Sequence, residues 1–258
     1  MSGAEPISNR NCVKVGAPMS EAQLFEILTE MRLSGAREEL EHQLANTGYA
    51  DMPFVDRMLR MFQAEADRRQ RNRIERLTQA AQFKYVNANP EAIDYSKDRK
   101  LDKAHILDLV KCEWISRGQN MVITGASGTG KTWLASALGN SAVRHEKSTR
   151  YVRTSRLAEE LNFARLDGSL TKLRTKLARL DLLILDDFAL LPMGPQEKAD
   201  LFEVIEDRDE RASTMLISQR PIADWYEFVG EDLLADAFLD RVRNRTHRIQ
   251  LEGKSKRG

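Results

Sequence analysis

At 258 residues the chain has room for one sizeable α/β domain and a smaller helical one. Its 40 lysines and arginines against 39 aspartates and glutamates leave a net charge of +1, which excludes a globally basic nucleic-acid binder and makes any basic surface a local one. A hydrophobic content of 41% with 31% charged residues excludes a disordered chain, and the two cysteines, Cys12 and Cys112, exclude a disulfide framework or a Cys-x-x-Cys zinc module.

In chain order, residues 1–18 carry Gly, Pro, Ser and Asn without periodicity and read as a flexible tail, with no signal-peptide apolar core. No apolar run approaches the length of a membrane span, so a cytoplasmic protein without a membrane partner is expected. Ser20 followed three positions later by Gln23 is a capping box, opening a helix with apolar Leu24, Ile27, Leu28 and Met31. Gly35 and Gly48 mark two further turns. A long third helix is expected from near Pro53, with Val55, Leu59, Phe62, Ala66, Ile74, Leu77 and Ala81 as its apolar stripe. Residues 19–85 thus form a helical N-terminal domain, and the aperiodic stretch 86–102 reads as a linker.

Over 103–258 apolar strands alternate with helical segments: NMVIT at 120–124, RYVR at 150–153, LLIL at 182–185, TMLIS at 214–218 and HRIQL at 247–251. This alternation predicts an α/β fold, a parallel sheet flanked by helices with its ligand at the carboxyl ends of the strands. His42, His105, His145 and His247 are scattered, without ligand spacing, and read as structural or surface residues.

The run Gly125, Ala126, Ser127, Gly128, Thr129, Gly130, Lys131, Thr132 satisfies G-x-x-x-x-G-K-[ST] between a strand and a helix. Glycines let the backbone bend around phosphates and aim its N–H groups inward, and the following helix N-terminus favours negative charge. Lys131 is placed to reach the β and γ phosphates of ATP, and Thr132 to hold Mg²⁺. Some fifty residues on, the apolar strand LLIL ends in Asp186-Asp187, suited to metal coordination by the first and water activation by the second. The strand TMLIS ends in Ser218-Gln219, either of which suits a γ-phosphate sensor.

The run from Trp114 to Arg257 resembles the AAA+ ATPases of the IstB-like and DnaC-like group, and is closer to the IstB-like insertion-sequence ATP-binding proteins. The likeness is carried by Trp114-Ile115, Gly118 and Asn120, by the phosphate loop through Gly139, by DLLILDDFALLP, by ADWYEFVGEDLLADAFLDRV and by the closing LEGKSKR. Residues 20–85 also resemble that family's N-terminal domain. The resemblance implies an ATPase with ATP and Mg²⁺ as cofactors. It implies that Arg241 is an arginine finger offered to a neighbouring subunit of a homo-oligomer, and that Arg257 is a second sensor arginine. Three residues depart from the family pattern: Gln219 replaces a frequent Asn, Lys256 a frequent aromatic and Asp187 a glutamate, the last pointing toward slow turnover.

Two basic clusters stand against the neutral whole. Residues 68–76, RRQRNRIER, place Arg69, Arg73 and Arg76 on one helix face, where they suit either DNA phosphates or plain solvation. A second cluster runs from Arg241 through Arg257, part of it already assigned to ATP chemistry. The function expected is ATP-dependent regulation of DNA transposition, by a chain that assembles on duplex DNA and recruits or stimulates a separate transposase from the same element. The alternatives are a DnaC-like loader of a replicative helicase and a small-molecule kinase.

Overall fold

The computed structural model describes residues 20–229, 238–240, 242 and 245–253. The chain divides into two compact units between Asn72 and Arg73, a boundary that falls inside one long helix. No helix among the described residues is long and apolar enough to cross a membrane.

The first unit holds α1 (Glu21–Glu30), α2 (Ser34–Ala45), a 3-10 turn at Thr47–Tyr49 and the first part of α3 (Phe54–Ala81). The capping box is present: Ser20 Oγ accepts the Gln23 N–H while the Gln23 side chain accepts the Ser20 N–H. Leu28, Ala36, Leu40 and Met61 form a small core, with Phe25, Leu33 and Met58 packed on it.

Two expectations fail in this unit. Gly35 lies inside α2, not in a turn; a Cβ there would stand 2.7 Å from the Ala64 carbonyl oxygen and 2.8 Å from Glu65 Cα, so glycine is what lets α2 approach α3. The expected stripe of α3 also faces the wrong way in its first half, where Val55, Leu59 and Phe62 are 72%, 64% and 54% exposed. Met58, Met61 and Glu65 face inward instead. Both sets fit a helical period, and the close Gly35 contact decides which one is buried.

The second unit holds the rest of α3, short 3-10 turns at Pro90–Ala92 and Lys97–Arg99, α4 (Lys103–Val110) and α5 (Glu113–Ser116). Then come β1 (Asn120–Gly125), α6 (Lys131–Arg144), β2 (Thr149–Arg153), α7 (Thr154–Leu166), α8 (Leu170–Ala178), β3 (Leu182–Asp186), α9 (Pro195–Glu206), β4 (Ser213–Ser218), α10 (Trp225–Val229) and β5 (Thr246–Leu251). All five expected strands form, and they pair in parallel in the order β2-β3-β4-β1-β5.

The central strands β1, β3 and β4 read as continuous apolar runs because both sheet faces are covered. Met121, Ile123, Ile184, Met215 and Ile217 pack on one side with Leu134 and Leu138 of α6. Val122, Leu183, Leu185 and Leu216 pack on the other with Leu157, Leu201 and Phe188. Within 86–102, the stretch expected as a linker, Ala88 and Ile93 are buried, and Asn140 of α6 donates to the Val86 and Ala88 carbonyls at 3.0 and 2.7 Å. These residues lie as a strap on the unit that carries the phosphate loop.

Candidate nucleotide site

The strand order puts β4 between β1 and β3, so the loop after β1, the acidic end of β3 and the polar end of β4 open at one edge of the sheet. The loop is anchored where β1 meets β5: a Cβ on Gly125 would lie 2.2 Å from the Leu251 carbonyl oxygen. Thr129 Oγ1 closes the turn on the Ala126 carbonyl at 2.9 Å. Lys131, buried at the start of α6, directs Nζ to the Gly125 and Ala126 carbonyls, both at 2.8 Å.

Thr132 Oγ1 donates to Asp186 Oδ2 at 2.9 Å, joining the loop to the acidic strand. Asp186 Oδ1 accepts the Asp187 N–H at 2.9 Å, and its backbone carbonyl accepts the Thr154 hydroxyl at 2.9 Å. Asp187 then sits in the left-handed region, φ +56, a conformation that aspartate tolerates better than most residues. The pairing of Thr132 with Asp186 supplies hard oxygen donors from two elements, which fits Mg²⁺.

A cavity of about 340 Å³ lies over these groups, within the size range of small-ligand sites. Gly128, Gly130, Lys131, Thr132, Asp186, Asp187 and Gln219 line one part of it. Ala92, Asp94 and Arg99 of the strap, with Tyr85 just before it and Trp133, line another. Loop N–H groups and Lys131 suit phosphates, and the aromatic side suits a base and sugar. Arg99 is buried, donates to the Thr129 carbonyl at 2.6 Å and stands 3.8 Å from Asp94, so the strap grips the loop directly.

Of the residues singled out in the sequence, the eight loop residues, Asp186, Asp187 and Gln219 come together at this edge. Ser218 is buried behind it, donating to the Phe188 carbonyl at 2.8 Å and accepting the Arg220 N–H at 3.1 Å. Arg241 and Arg257 lie outside the described residues. On α3, Arg69 donates to Glu65 at 2.5 Å, Arg73 pairs with Glu146 at 2.9 Å and Arg76 is exposed.

Sequence reasoning missed Tyr151, Asp94, Arg99 and Trp133. Tyr151, in β2, donates its hydroxyl to Asp186 Oδ2 at 2.6 Å. Burial pushes its pKa up, helped by the hydrogen bond to Asp186 and the nearby charges of Asp186 and Asp187, so the phenol stays protonated and remains a donor. The only hint in the sequence is an aromatic within RYVR, and nothing there says that β2 pairs with β3.

The family model described as IstB-like ATP binding protein matches residues 26–258. The insertion sequence ATP-binding protein y4pL of Sinorhizobium fredii is 45% identical over 170 residues, 66% of this chain and 69% of that one. The ATP-binding protein of insertion sequence IS1162 from Pseudomonas fluorescens is 39% identical over 194 residues, 75% of this chain and 84% of its own length. Among solved structures, the DnaC helicase loader superposes with a TM-score of 0.54 at 17% identity, over 65% of this chain and 98% of its own. The replication initiator DnaA bound to AMPPCP and single-stranded DNA gives a TM-score of 0.54 at 20% identity over 65% of this chain, which spans 50% of the DnaA chain. These two likenesses speak for the fold alone. With the matched segment starting inside α1 and taking in both the phosphate loop and the acidic strand end, the chain belongs to the IstB-like ATP binding protein family and carries its candidate nucleotide site on an AAA+ fold.

Proposed function

We propose that the chain is an ATP-dependent regulator of DNA transposition, an ATPase that assembles on duplex DNA in its ATP state and recruits or stimulates a separate transposase. The observation that carries this reading is the convergence of the Lys131 loop and the Asp186-Asp187 strand end on one cavity, in a chain whose relatives by sequence are ATP-binding proteins of insertion sequences. Lys131 exchanges the loop carbonyls for β and γ phosphate oxygens. Thr132 and Asp186 hold Mg²⁺, which when bound offsets phosphate charge. Asp187 orients the attacking water, and Gln219 reads the γ-phosphate.

Arg241 acts in trans as the arginine finger, so hydrolysis depends on a homo-oligomer, and Arg257 is the second sensor. Arg69, Arg73 and Arg76 give salt-dependent contacts to DNA phosphates. The helicase-loader reading draws on a fold likeness at 17% identity, whereas the likeness in sequence is to insertion-sequence proteins.

Sedimentation with a duplex of about 60 base pairs, in ATP, in ADP and without nucleotide, tests the proposal through its salt-sensitive DNA contacts. Large DNA-bound assemblies are expected only with ATP, and Lys131→Ala should abolish them. Arg241→Ala should weaken assembly or turnover while leaving ATP binding intact. A protein that stays small and ignores duplex in every state contradicts the proposal.

A further inference from the structure

We infer that Tyr151 is a positioning residue for the cation site: its hydroxyl holds the Asp186 carboxylate in the orientation that a Mg²⁺ ion on Thr132 requires. The inference rests on the reading of Thr132 and Asp186 as the cation's ligands.

Asp186 is the last residue of β3 and 2% exposed, so little water is available to it. The torsion that turns a carboxylate about its Cβ–Cγ bond is broad and soft, and burial alone does not fix it. Three donors do so here. The Asp187 N–H takes Oδ1, and the Tyr151 and Thr132 hydroxyls both point at Oδ2, at 2.6 and 2.9 Å.

The two hydroxyls are not equivalent. The Thr132 hydroxyl has lone pairs to offer a cation while its proton stays on Asp186 Oδ2, so its orientation answers to the ion as well as to the carboxylate. Tyr151 lies on the neighbouring strand, where it pairs with Ile184, and is 7% exposed. Its bond to Oδ2 comes from outside the phosphate loop. With the Asp187 N–H at the other oxygen, it then defines the carboxylate plane.

A phenol is also the right chemical type for this position. It donates a hydrogen bond without a formal charge, so it orients the carboxylate without competing electrostatically with a divalent cation. A lysine or arginine at that place would neutralise the ligand it was positioning. Packing alone needs the ring but not the oxygen.

The test uses the full chain with Tyr151→Phe, which removes one oxygen and keeps the ring. Binding of a fluorescent ATP analogue is followed as Mg²⁺ is titrated, and again in excess chelator, with thermal unfolding recorded on the same samples. The half-saturating Mg²⁺ concentration should rise about tenfold, the low end of losses seen when partners of metal ligands are removed. Chelator-state nucleotide affinity should stay within about twofold on the same grounds. Tyr151→Met, a second donor-free variant of different shape, should give the same result if Phe lowers stability.

An unchanged Mg²⁺ requirement, or an equal loss of nucleotide affinity with and without Mg²⁺, overturns the inference while leaving the ATPase reading in place. A wild-type chain that binds no nucleotide even with Mg²⁺ strikes the ATPase reading itself, and this inference falls with it.

Discussion

Arg208 is fully buried, and its guanidinium is spent on backbone oxygens and a hydroxyl. It donates to the Leu177 carbonyl, to the Leu180 carbonyl at 2.9 Å, to the Ser213 carbonyl at 2.5 Å and to Thr214 Oγ1 at 3.1 Å. One side chain thereby ties the end of α8 to the start of β4, the strand that ends in Ser218 and leads into Gln219. Burial lowers its pKa to about 10, against the opposing charge of Asp181. Replacement by methionine keeps much of the volume but strands those carbonyls. Arg208→Met should therefore cost about 3 kcal/mol or more, since each buried polar group left unpaired costs roughly 1–3 kcal/mol. Urea denaturation measures this. A loss below about 1 kcal/mol would mean that water replaces the guanidinium in full.

The elements differ in how plainly the sequence announces them, and the reason is locality. The central strands β1, β3 and β4 are contiguous apolar runs covered on both faces, so their existence can be read from their own residues. The phosphate loop and the Asp186-Asp187 pair are equally local. Tyr151 is not, because its role depends on β2 lying beside β3, and Arg99 reaches the loop from a strap that reads as a linker. In α3 two faces share the helical period, and only the contact with Gly35 selects the Met58, Met61 and Glu65 face. Glu65 then does more than pack. It accepts the Gly35 and Ala36 N–H groups at 2.8 and 3.4 Å at the start of α2, whose cap residue Leu33 offers no side-chain bond. Burial works against its charge, but the Arg69 hydrogen bond and these two N–H groups outweigh it and hold the carboxyl below its usual pKa. A depressed carboxyl stabilises the fold above its unfolded pKa of about 4.3, and that contribution is lost as pH falls through the lower folded value. Acid titration of helical circular dichroism should show this loss in the wild type. Glu65→Gln should start less stable at neutral pH and lack that part of the acid dependence.

At the scale of the whole molecule, every described residue of the nucleotide cavity belongs to the unit that begins at Arg73. That cavity is walled partly by the loop and partly by the strap, through Ala92, Asp94 and Arg99, so a bound nucleotide contacts two segments remote in sequence. Ligand at 100 times its dissociation constant stabilises what it binds by about 2.7 kcal/mol, and the gain goes to the segments whose opening releases it. Hydrogen exchange with ATP and Mg²⁺, at protein concentrations below the onset of assembly and without DNA, should slow the amides of 85–101 and 125–132 together. The amides of 21–45 should be unchanged, and Lys131→Ala should remove the protection from both slowed segments. Protection of the loop with no change in the strap would show that the Arg99 to Thr129 contact transmits nothing, and that nucleotide is held by the loop and acidic strand alone. Joint protection would make the strap part of the nucleotide site, a segment that orders with ATP and lies in sequence directly between α3, with its arginines, and the five-stranded sheet.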